Sequence, residues 1–531
     1  MMKLSSLIYV ALVFSTSSSA SVLVIAGHRG SHLFVSLNVA DKLAEFGYDV
    51  TVLTIYSDNR IDLKDKAFRF ISVADDAVTQ EIFERMEKHF TDFMYFPSTD
   101  MWAEFFIAQV RSSAMSSVAD DYSRLGIDYF NGEEFAKLVE REKFDLVVLE
   151  DYNALLAKAA LKEMNIPVMG VVCHTGAAEM NSRYSLPGLL NSVPGLTNDV
   201  TDSPPSFYER WQTLVRTGRF YLAISTIIES FIKKTPKPED SLKEYLIAMY
   251  DVVFINDHPA FSFPFLTPPN TFYLGHFNLE NYSINPLPEE YQKFLANCPY
   301  QHKILFSFGS YLEDPRQFTG MSAIIKTLSQ MNICVIMKSN LQLELPSGKF
   351  LQKSWIPQKD LLGSGKLDLF FSHCGNNGRM EAIFFNVPLL CVPLFGDQYY
   401  NARLVRRNGF GSYLTWEELT EESLTETIKN LLGKKEEFVE KMRRAADIAR
   451  NDPGAGTETL RYYTDLLVKN GNADHLVNRI IMNQSTNEIY NLDIAVLALV
   501  CVLLSIVFIL FVLVKCLRLL CCRLFTKIKA D

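Results

Sequence analysis

The segment HCGNNGRMEA, residues 373–382, contains residue types that could support three different chemistries. His373 beside Cys374 suggests a metal site or a thiol nucleophile, whereas the Gly and Asn residues that follow are typical of a phosphate-binding turn. A metal site would need two further ligands that converge with His373 and Cys374. Consecutive side chains at the end of a strand point in opposite directions, so these two residues are poorly placed to share one ion. A nucleophilic Cys374 would need an oriented base, and the adjacent His373 cannot easily serve. We therefore assign no metal ligands, and a thiol-dependent hydrolase is disfavoured.

The surroundings of this segment favour phosphate binding. The apolar run LDLFFS precedes it and a helical pattern begins near Asn376, so Gly375, Asn376, Asn377 and Gly378 are predicted to lie at a helix N-terminus after a strand. Such termini offer backbone N–H groups and partial positive charge to anions. Glu381, four residues after Asn377, shares its helical face, where a carboxylate could accept hydrogen bonds from ribose hydroxyls.

Four further residues suit a nucleotide sugar. Upstream, the indole of Trp355 could stack on a flat base and is followed by Gln358. Downstream, Asp397 and Gln398 follow the next apolar run as paired groups that could bind sugar hydroxyls. The order of these residues along the chain carries more weight than any of them alone.

The elements that must position these residues alternate β-rich runs with helical patterns, which is typical of parallel sheets with crossover helices. In the first half, strands are predicted at SVLVIA, YDVTVLTI, FDLVVL, IPVMGVV and DVVFIN, with a helix at about 32–46. Irregular, aromatic-rich insertions occupy 58–143 and 181–237, where a substrate pocket is expected. A Pro-rich linker is predicted at 258–290.

The second half repeats the pattern. Strands are predicted at HKILFSFGS, ICVIMK, KLDLFFS and VPLLCVPLF, with helices near 318–331 and 397–408. Three amphipathic helices follow, ending near Gly433, Asp452 and Gly471. Two doubly wound units facing a cleft suit group transfer from nucleotides, because such sheets bind ligands at the carboxyl ends of their strands.

The two ends of the chain indicate a membrane protein. Residues 1–20 have the layout of a secretory signal peptide, and residues 494–514 are uncharged and long enough for one helical crossing. Basic residues after this segment predict a cytoplasmic tail and a type I topology, with the large part of the chain lumenal. Lys527 and Lys529 resemble a dilysine signal for retrieval to the endoplasmic reticulum.

Composition narrows the function further. A chain of 531 residues is too long for a single hydrophobic core, so two domains are expected. A net charge of −9 without a long basic run argues against nucleic acid as a partner. The nine cysteines show no disulfide framework, so the lumenal ones are expected to be buried thiols. Asn281 is the favoured N-glycosylation site, with Asn483 as a second sequon close to the membrane.

The series WIPQKDLL, FFSHCGNNGRMEA and PLFGDQYYNA closely resembles the signature of the membrane-bound UDP-glycosyltransferases of the animal UDP-glucuronosyltransferase type. The resemblance covers nearly the whole chain, and its motifs are highly specific. It implies an α/β GT-B fold with two Rossmann-like, doubly wound domains facing a cleft. It also implies an acceptor-binding domain at 21–280, a UDP-sugar-binding domain with C-terminal helices at 281–490, a transmembrane helix at 491–514 and a basic tail at 515–531.

The resemblance also implies roles for individual residues. Trp355 would stack on uracil, Gln358 and Glu381 would hold ribose, and Asp397 and Gln398 would hold the sugar. The diphosphate would be held by a group of residues on two loops, namely Ser310, His373 and the turn of Gly375, Asn376, Asn377 and Gly378. No separate cofactor is implied, because the UDP-sugar, UDP-glucuronate or UDP-glucose, is a co-substrate.

Two positions depart from the commonest form of the family motif. Cys374 replaces a Gly, and Asn376 replaces a hydroxyl residue. Both substitutions keep the backbone donors, so UDP binding is expected to survive.

The family's catalytic base is a His after the first strand, and His32 matches it. A helix N-terminus favours the neutral imidazole that general-base work needs. His28 is the competing candidate. The family pairs its His with a carboxylate, for which Glu150 is preferred to its neighbour Asp151.

The expected reaction is metal-independent, inverting transfer of a hexosyl or glucuronosyl group to a small lipophilic hydroxyl compound such as a phenol or steroid. The resemblance implies a role in detoxification. The alternative from another class is a non-catalytic UDP-sugar- or lipophile-binding membrane partner of active transferases. A homo- or hetero-oligomer is compatible with both.

Overall fold

The computed structural model describes two parallel α/β units and a terminal apolar helix. Apart from a few shorter stretches, the described residues are 19–27, 30–55, 63–74, 126–151, 163–173, 250–264, 267–280, 282–309, 320–339, 345–394, 396–476 and 491–528. The two doubly wound units predicted from the sequence are confirmed.

The first unit is built on a seven-stranded parallel sheet in the order β3-β2-β1-β4-β5-β6-β7. Its strands are β1 (Ser21–Ile25), β2 (Asp49–Thr54), β3 (Arg69–Ser72), β4 (Leu146–Glu150), β5 (Val168–Val172), β6 (Val252–Ile255) and β7 (Thr271–Tyr273). The central strands are buried along their length because helices cover both faces of the sheet. Strand β7 falls inside the predicted linker, which is therefore shorter than expected.

The second unit has a six-stranded parallel sheet in the order β10-β9-β8-β11-β12-β13. Its strands are β8 (His302–Ser307), β9 (Ile333–Lys338), β10 (Phe350–Lys353), β11 (Leu369–Ser372), β12 (Leu389–Cys391) and β13 (Gly411–Tyr413). All nine strands predicted from the sequence are present in the two sheets.

Helices follow most strands and end where the sequence predicts. Those described are α1 (Gly30–Glu45), α2 (Glu133–Glu142), α3 (Glu289–Asn297), α4 (Met321–Gln330), α5 (Gln358–Gly363), α6 (Asn376–Phe384), α7 (Asp397–Asn408), α8 (Glu421–Gly433), α9 (Lys435–Arg450), α10 (Gly456–Asn470) and α11 (Leu492–Ile528). Helix α10 packs on the first sheet, since Leu460 and Leu467 are buried with Val22 and Leu146. The chain therefore returns to its first unit before the terminal helix.

The strand order in both sheets reverses beside the first strand of the unit. In the first sheet β1 lies between β2 and β4, and in the second β8 lies between β9 and β11. Ligands of doubly wound sheets bind in the crevice at the carboxyl ends of such strands. The residues that follow β1, β4, β8 and β11 are therefore those the fold brings to the cleft.

A buried ion pair joins the two units. Arg379 in α6 donates to the Asp257 carboxylate over 2.6 Å, and both side chains are fully buried. The same guanidinium donates to the Phe261 carbonyl over 2.7 Å. Asp257 and Phe261 lie just after β6 of the first unit. These contacts therefore fix α6 of the second unit against the first unit.

A second interdomain contact is expected to make stability depend on pH. His276 is buried and stacks on Phe384 of α6 with ring centroids 5.3 Å apart. Burial, with help from nearby His258 and Arg450, lowers the pKa of His276 to about 4. The unfolded chain therefore binds more protons than the folded one between about pH 6.5 and 4, so this contribution to stability is present above pH 6.5 and is lost as pH falls.

We expect His276→Phe, which keeps a ring against Phe384, to flatten the fall in unfolding free energy across this pH window by up to about 3 kcal/mol. Urea unfolding of both proteins from pH 8 to pH 4 provides the measurement. If the unfolding free energy fell equally steeply with pH in wild type and variant, His276 would not be the source of this pH dependence.

The terminal helix matches the predicted anchor. Leu492–Arg518 is the one helix among the described residues that is long and apolar enough to cross a membrane, with mean hydropathy 3.4 over its most apolar window. The basic residue Lys515 follows its uncharged stretch within the same helix.

The expectation that the lumenal cysteines are all thiols is wrong for four of them. The structure pairs Cys298 with Cys334 and Cys374 with Cys391, with Cα atoms 6.1 and 5.3 Å apart. Each bond joins segments distant in sequence but adjacent in the second unit, a proximity that scattered spacing does not reveal. Cys173 is a buried free thiol, as expected.

Candidate active site

His32 and Glu150 form a hydrogen-bonded pair at the strand-order reversal of the first sheet. Their Nδ1 and Oε1 atoms are 2.6 Å apart, although the residues are 118 positions apart in sequence. His32 lies in the first turn of α1, and Glu150 ends β4 with its side chain 1% exposed, whereas that of His32 is 21% exposed. The fold therefore joins the predicted base to Glu150 and leaves the imidazole open to the cleft.

Gly27 sets the position of His32. A Cβ at Gly27 would lie 2.5 Å from the His32 Cβ, so the loop after β1 passes too close for any side chain. The Gly27 N–H donates to the Ser36 hydroxyl over 3.3 Å, and that hydroxyl donates to the His32 carbonyl over 3.0 Å. These contacts hold the first turn of α1 against the end of β1.

A third side chain from the first unit reaches the pair. Cys173 follows β5, and its thiol hydrogen-bonds to Glu150. Burial raises the pKa of this thiol well above its ordinary value, and the charges of Glu150, Asp151 and Asp397 add to the effect. Because Asp397 begins α7 of the second unit, its charge reaches the His32 pair from across the cleft.

On the second unit, His373 lies between two loops that need glycine. A Cβ at Gly309 would stand 2.6 Å from His373 Cε1, and a Cβ at Gly375 would stand 2.5 Å from His373 Nε2. Burial among these groups, and then the charge of Lys338, lower the pKa of His373 to about 4. His373 is therefore neutral at pH 7, and its ring also makes a hydrogen bond to the backbone of Ser307.

The side chains of the Asn pair face the first unit. Asn376 donates to the carbonyls of Asn256 over 2.6 Å and Cys173 over 3.3 Å, and Asn377 accepts from Asn256 over 2.9 Å. The phosphate-binding capacity of this turn therefore rests on the backbone N–H groups of the first turn of α6, which have no partner within the helix. Gly375 precedes that turn, as predicted.

The base-stacking candidate Trp355 is 54% exposed, which is unusual for an indole and leaves surface for a ligand. Lys338 Nζ lies 4.3 Å from the centroid of its ring and donates to the Gly309 carbonyl over 3.0 Å. Sequence reasoning missed Lys338, although its place as the last residue of β9 was a usable signal. It supplies a positive charge beside His373 and Gly309.

The two proposed ribose ligands contact each other. Gln358 Nε2 donates to Glu381 Oε2 over 2.7 Å. Burial raises the pKa of Glu381, and Lys359 and the bond from Gln358 oppose that rise. This hydrogen bond holds the amide of Gln358 and the carboxylate of Glu381 side by side, where both could contact a ribose.

The two proposed sugar ligands begin α7 after Gly396, whose φ of 60° requires glycine for an unstrained turn. Asp397 accepts from Asn401 over 2.9 Å, and Gln398 accepts from the Leu394 N–H over 2.8 Å. Gln398 is largely buried by this contact, whereas Asp397 is partly exposed at the cleft.

The sequence profile of the family described as UDP-glucoronosyl and UDP-glucosyl transferase matches residues 20–530. The chain belongs to this UDP-glycosyltransferase family.

Individual relatives of this UDP-glycosyltransferase are distant but cover most of its length. UDP-glucuronosyltransferase 3A1 of Bos taurus is 24% identical over 497 residues, with 91% of each chain covered. UDP-glucuronosyltransferase 3A2 of Homo sapiens is 26% identical, also with 91% of each covered. UDP-glucosyltransferase 2 of Dactylopius coccus is 28% identical over 230 residues, which is 42% of this chain and 43% of the relative.

Among solved structures, the transferase titled as the glycotransferase of kitacinnamycin superposes with a TM-score of 0.52 at 15% identity. It covers 87% of this chain and 100% of its own. At this identity the likeness supports the GT-B fold alone, which the two parallel-sheet units also show.

The departure at Cys374 now has a structural explanation. Cys374 has a φ of 61°, in the left-handed region that glycine adopts without strain, so the position suits the Gly of the common family motif. Here a disulfide to Cys391 ties the residue to the end of β12.

Several predicted positions lie outside the described residues. They are His28, Ser310, Asn281, Asn483, the signal peptide to residue 18 and most of both insertions.

The close approach of Gly375 to His373 leads to a prediction. We expect Gly375→Ala to displace His373 and weaken UDP binding by at least about tenfold, or about 1.4 kcal/mol, measured by calorimetric titration with UDP. Gly433→Ala is the matched control, because Gly433 ends α8 and a Cβ there would meet no atom within 4 Å. Equal affinities for the two variants would show that His373 does not need this position.

Proposed function

We propose that this UDP-glycosyltransferase transfers a hexosyl or glucuronosyl group from a UDP-sugar to a hydroxyl of a small lipophilic acceptor by inverting displacement. The observation that carries the proposal is the 2.6 Å hydrogen bond between His32 and Glu150 at the cleft edge of the first sheet. A buried carboxylate bound to one imidazole nitrogen leaves the other nitrogen available as a general base.

The proton path follows from that pairing. His32 Nδ1–H donates to Glu150, so Nε2 carries the lone pair and accepts the proton of the acceptor hydroxyl. The acceptor oxygen then attacks the anomeric carbon from the side opposite UDP, the bond from that carbon to the diphosphate breaks, and the anomeric configuration inverts. Glu150 stabilises the imidazolium that forms.

The leaving diphosphate would be met by the second unit. The N-terminus of α6 would supply backbone N–H groups, and Lys338 would supply positive charge beside Gly309. His373 would line the diphosphate site from its position between Gly309 and Gly375. Trp355 would stack on uracil and the Gln358–Glu381 pair would hold ribose. Asp397 and Gln398 at the start of α7 would hold the sugar hydroxyls. Ser310 completes the proposed diphosphate site.

Substrate classes are proposed from the family and the site. The relatives include both glucuronosyl- and glucosyltransferases by name. UDP-glucuronate and UDP-glucose are therefore both proposed donors, with no resident cofactor. Phenols and steroids are the proposed acceptors, bound by the first unit and its insertions, which fits a role in detoxification.

We further propose a type I protein of the endoplasmic reticulum membrane, anchored by α11 with both α/β units in the lumen. Two disulfides in the second unit fit an oxidising compartment. The Asn281 sequon would then be glycosylated, and Asn483 is the second sequon. Self-association or association with related transferases belongs to the same proposal.

The test is UDP release by membrane fractions supplied with UDP-glucose and UDP-glucuronate side by side, over a panel of phenols and sterols. Acceptor-dependent release from at least one donor is expected. Tight UDP binding without release from either donor would instead support the non-catalytic membrane partner.

A further inference from the structure

The His32–Glu150 pair belongs to a larger group of potential metal ligands. His32, Glu150, Asp151 and Cys173 each offer one ligand atom, and these four atoms all lie within 4.8 Å of one another. We propose that this group is a binding site for a zinc-class divalent cation, and that an ion bound there inhibits transfer.

The geometry is close to what zinc needs. In tetrahedral sites with bonds of 2.0–2.3 Å, neighbouring ligand atoms stand roughly 3.3–3.8 Å apart, so small side-chain rotations would close the site. The ligands come from the ends of three neighbouring strands, since Glu150 ends β4, Cys173 follows β5 and His32 follows β1. Neighbouring strand ends hold the ligands at nearly the required spacing without an ion.

The donor set selects the metal. One thiol, one imidazole and two carboxylates suit zinc and cadmium, whereas magnesium and calcium bind through oxygen ligands alone. The carboxylates of Glu150, Asp151 and, from across the cleft, Asp397 also act electrostatically on Cys173. A cation bound among these groups would offset their negative charge.

An ion can reach the site although most of it is buried. Glu150 and Cys173 are 1% and 5% exposed, but His32 opens to the cleft with 21% of its side chain exposed. Access from the cleft means that a bound acceptor and an ion would compete for the same entrance.

Inhibition rests on the proposed function, because it acts through the tautomer of His32. The metal takes the Nδ1 lone pair, the ring proton moves to Nε2, and the Cys173 thiol proton leaves to solvent. The nitrogen that accepts the acceptor's proton then already carries one, so the base is blocked. Glu150 becomes a ligand and no longer orients the ring.

Cadmium titration of the full chain in detergent tests the site without relying on activity, since cadmium–thiolate bonds absorb in the ultraviolet. The titration uses a background protein in which the four C-terminal cysteines, Cys501, Cys516, Cys521 and Cys522, are replaced by Ala, because their thiols would also bind cadmium. In this background we expect a band that saturates at one cadmium per chain, is absent in Cys173→Ala, and forms at least about tenfold more weakly in Asp151→Asn. The background protein itself is the matched control and should show the band.

A band that persists unchanged in Cys173→Ala would overturn the site. UDP release measured in parallel separates the two proposals. Inhibition by zinc and cadmium that is reversed by chelator, and that is lost in whatever activity Cys173→Ala retains, supports the inference in full. A Cys173-dependent band with unaltered release would support the metal site and contradict the role of His32 as base.

Discussion

His32→Ala is expected to lower kcat/KM for UDP release by about 10³-fold, the effect of losing a positioned general base. This corresponds to about 4 kcal/mol of transition-state stabilisation. UDP affinity should stay within about twofold, because His32 lies in the first unit and the residues proposed to hold UDP lie in the second. Initial-rate kinetics and calorimetric titration with UDP measure the two quantities on the same preparation.

His475→Ala is the control histidine, since His475 is exposed and belongs to neither the His32–Glu150 pair nor the proposed UDP site. It should match the wild type. A His32 variant with wild-type turnover would exclude His32 as the base, and loss of UDP binding together with turnover would point to unfolding instead. Glu150→Gln tests the charge of Glu150 separately from its shape, because the variant keeps the shape of the side chain and removes the charge that stabilises the imidazolium.

The second large effect is expected on stability. Arg379→Met should lower the free energy of unfolding by about 3–5 kcal/mol, because it leaves the buried Asp257 carboxylate without its partner. The double variant Arg379→Met with Asp257→Leu removes both charges and should recover much of that loss. Urea unfolding monitored by tryptophan fluorescence provides the free energies.

An exposed ion pair serves as the comparison. Lys326 and Glu421 are also 2.6 Å apart, but their side chains are 58% and 43% exposed. Lys326→Met should therefore cost less than about 1 kcal/mol. Equal losses for the two single variants, or a double variant no more stable than Arg379→Met, would contradict the account of how α6 is fixed to the first unit.

The strands that could not be predicted from the sequence all lie at the edges of the sheets. All nine interior strands were predicted, whereas the four edge strands, β3, β7, β10 and β13, were not. Interior strands of a parallel sheet are buried on both faces and form continuous apolar runs. The edge strands are three or four residues long and are largely half-exposed, so they lack that signal.

The residues of the candidate site also fall into two groups, those that a sequence motif marks and those that no motif marks. Residues carried by a motif, such as His373, Glu381 and Asp397, could be placed from the sequence because strand, turn and helix occur in order around them. Lys338, the last residue of β9, and Cys173, the residue after β5, were missed because no motif marks them and they reach the cleft only through the order of strands in the sheets. The disulfide partners of Cys374 and Cys298 were hidden for the same reason.

The configuration of the transferred sugar distinguishes inverting displacement by His32 from any other course of the reaction. Full-length protein would be incubated with an α-linked UDP-sugar and a phenolic acceptor, and the anomeric proton of the product followed by NMR while UDP is counted. We expect a β-linked glycoside formed one for one with UDP, and formed about 10³-fold more slowly by His32→Ala. An α-linked product, or UDP binding with no product from either donor, would contradict it.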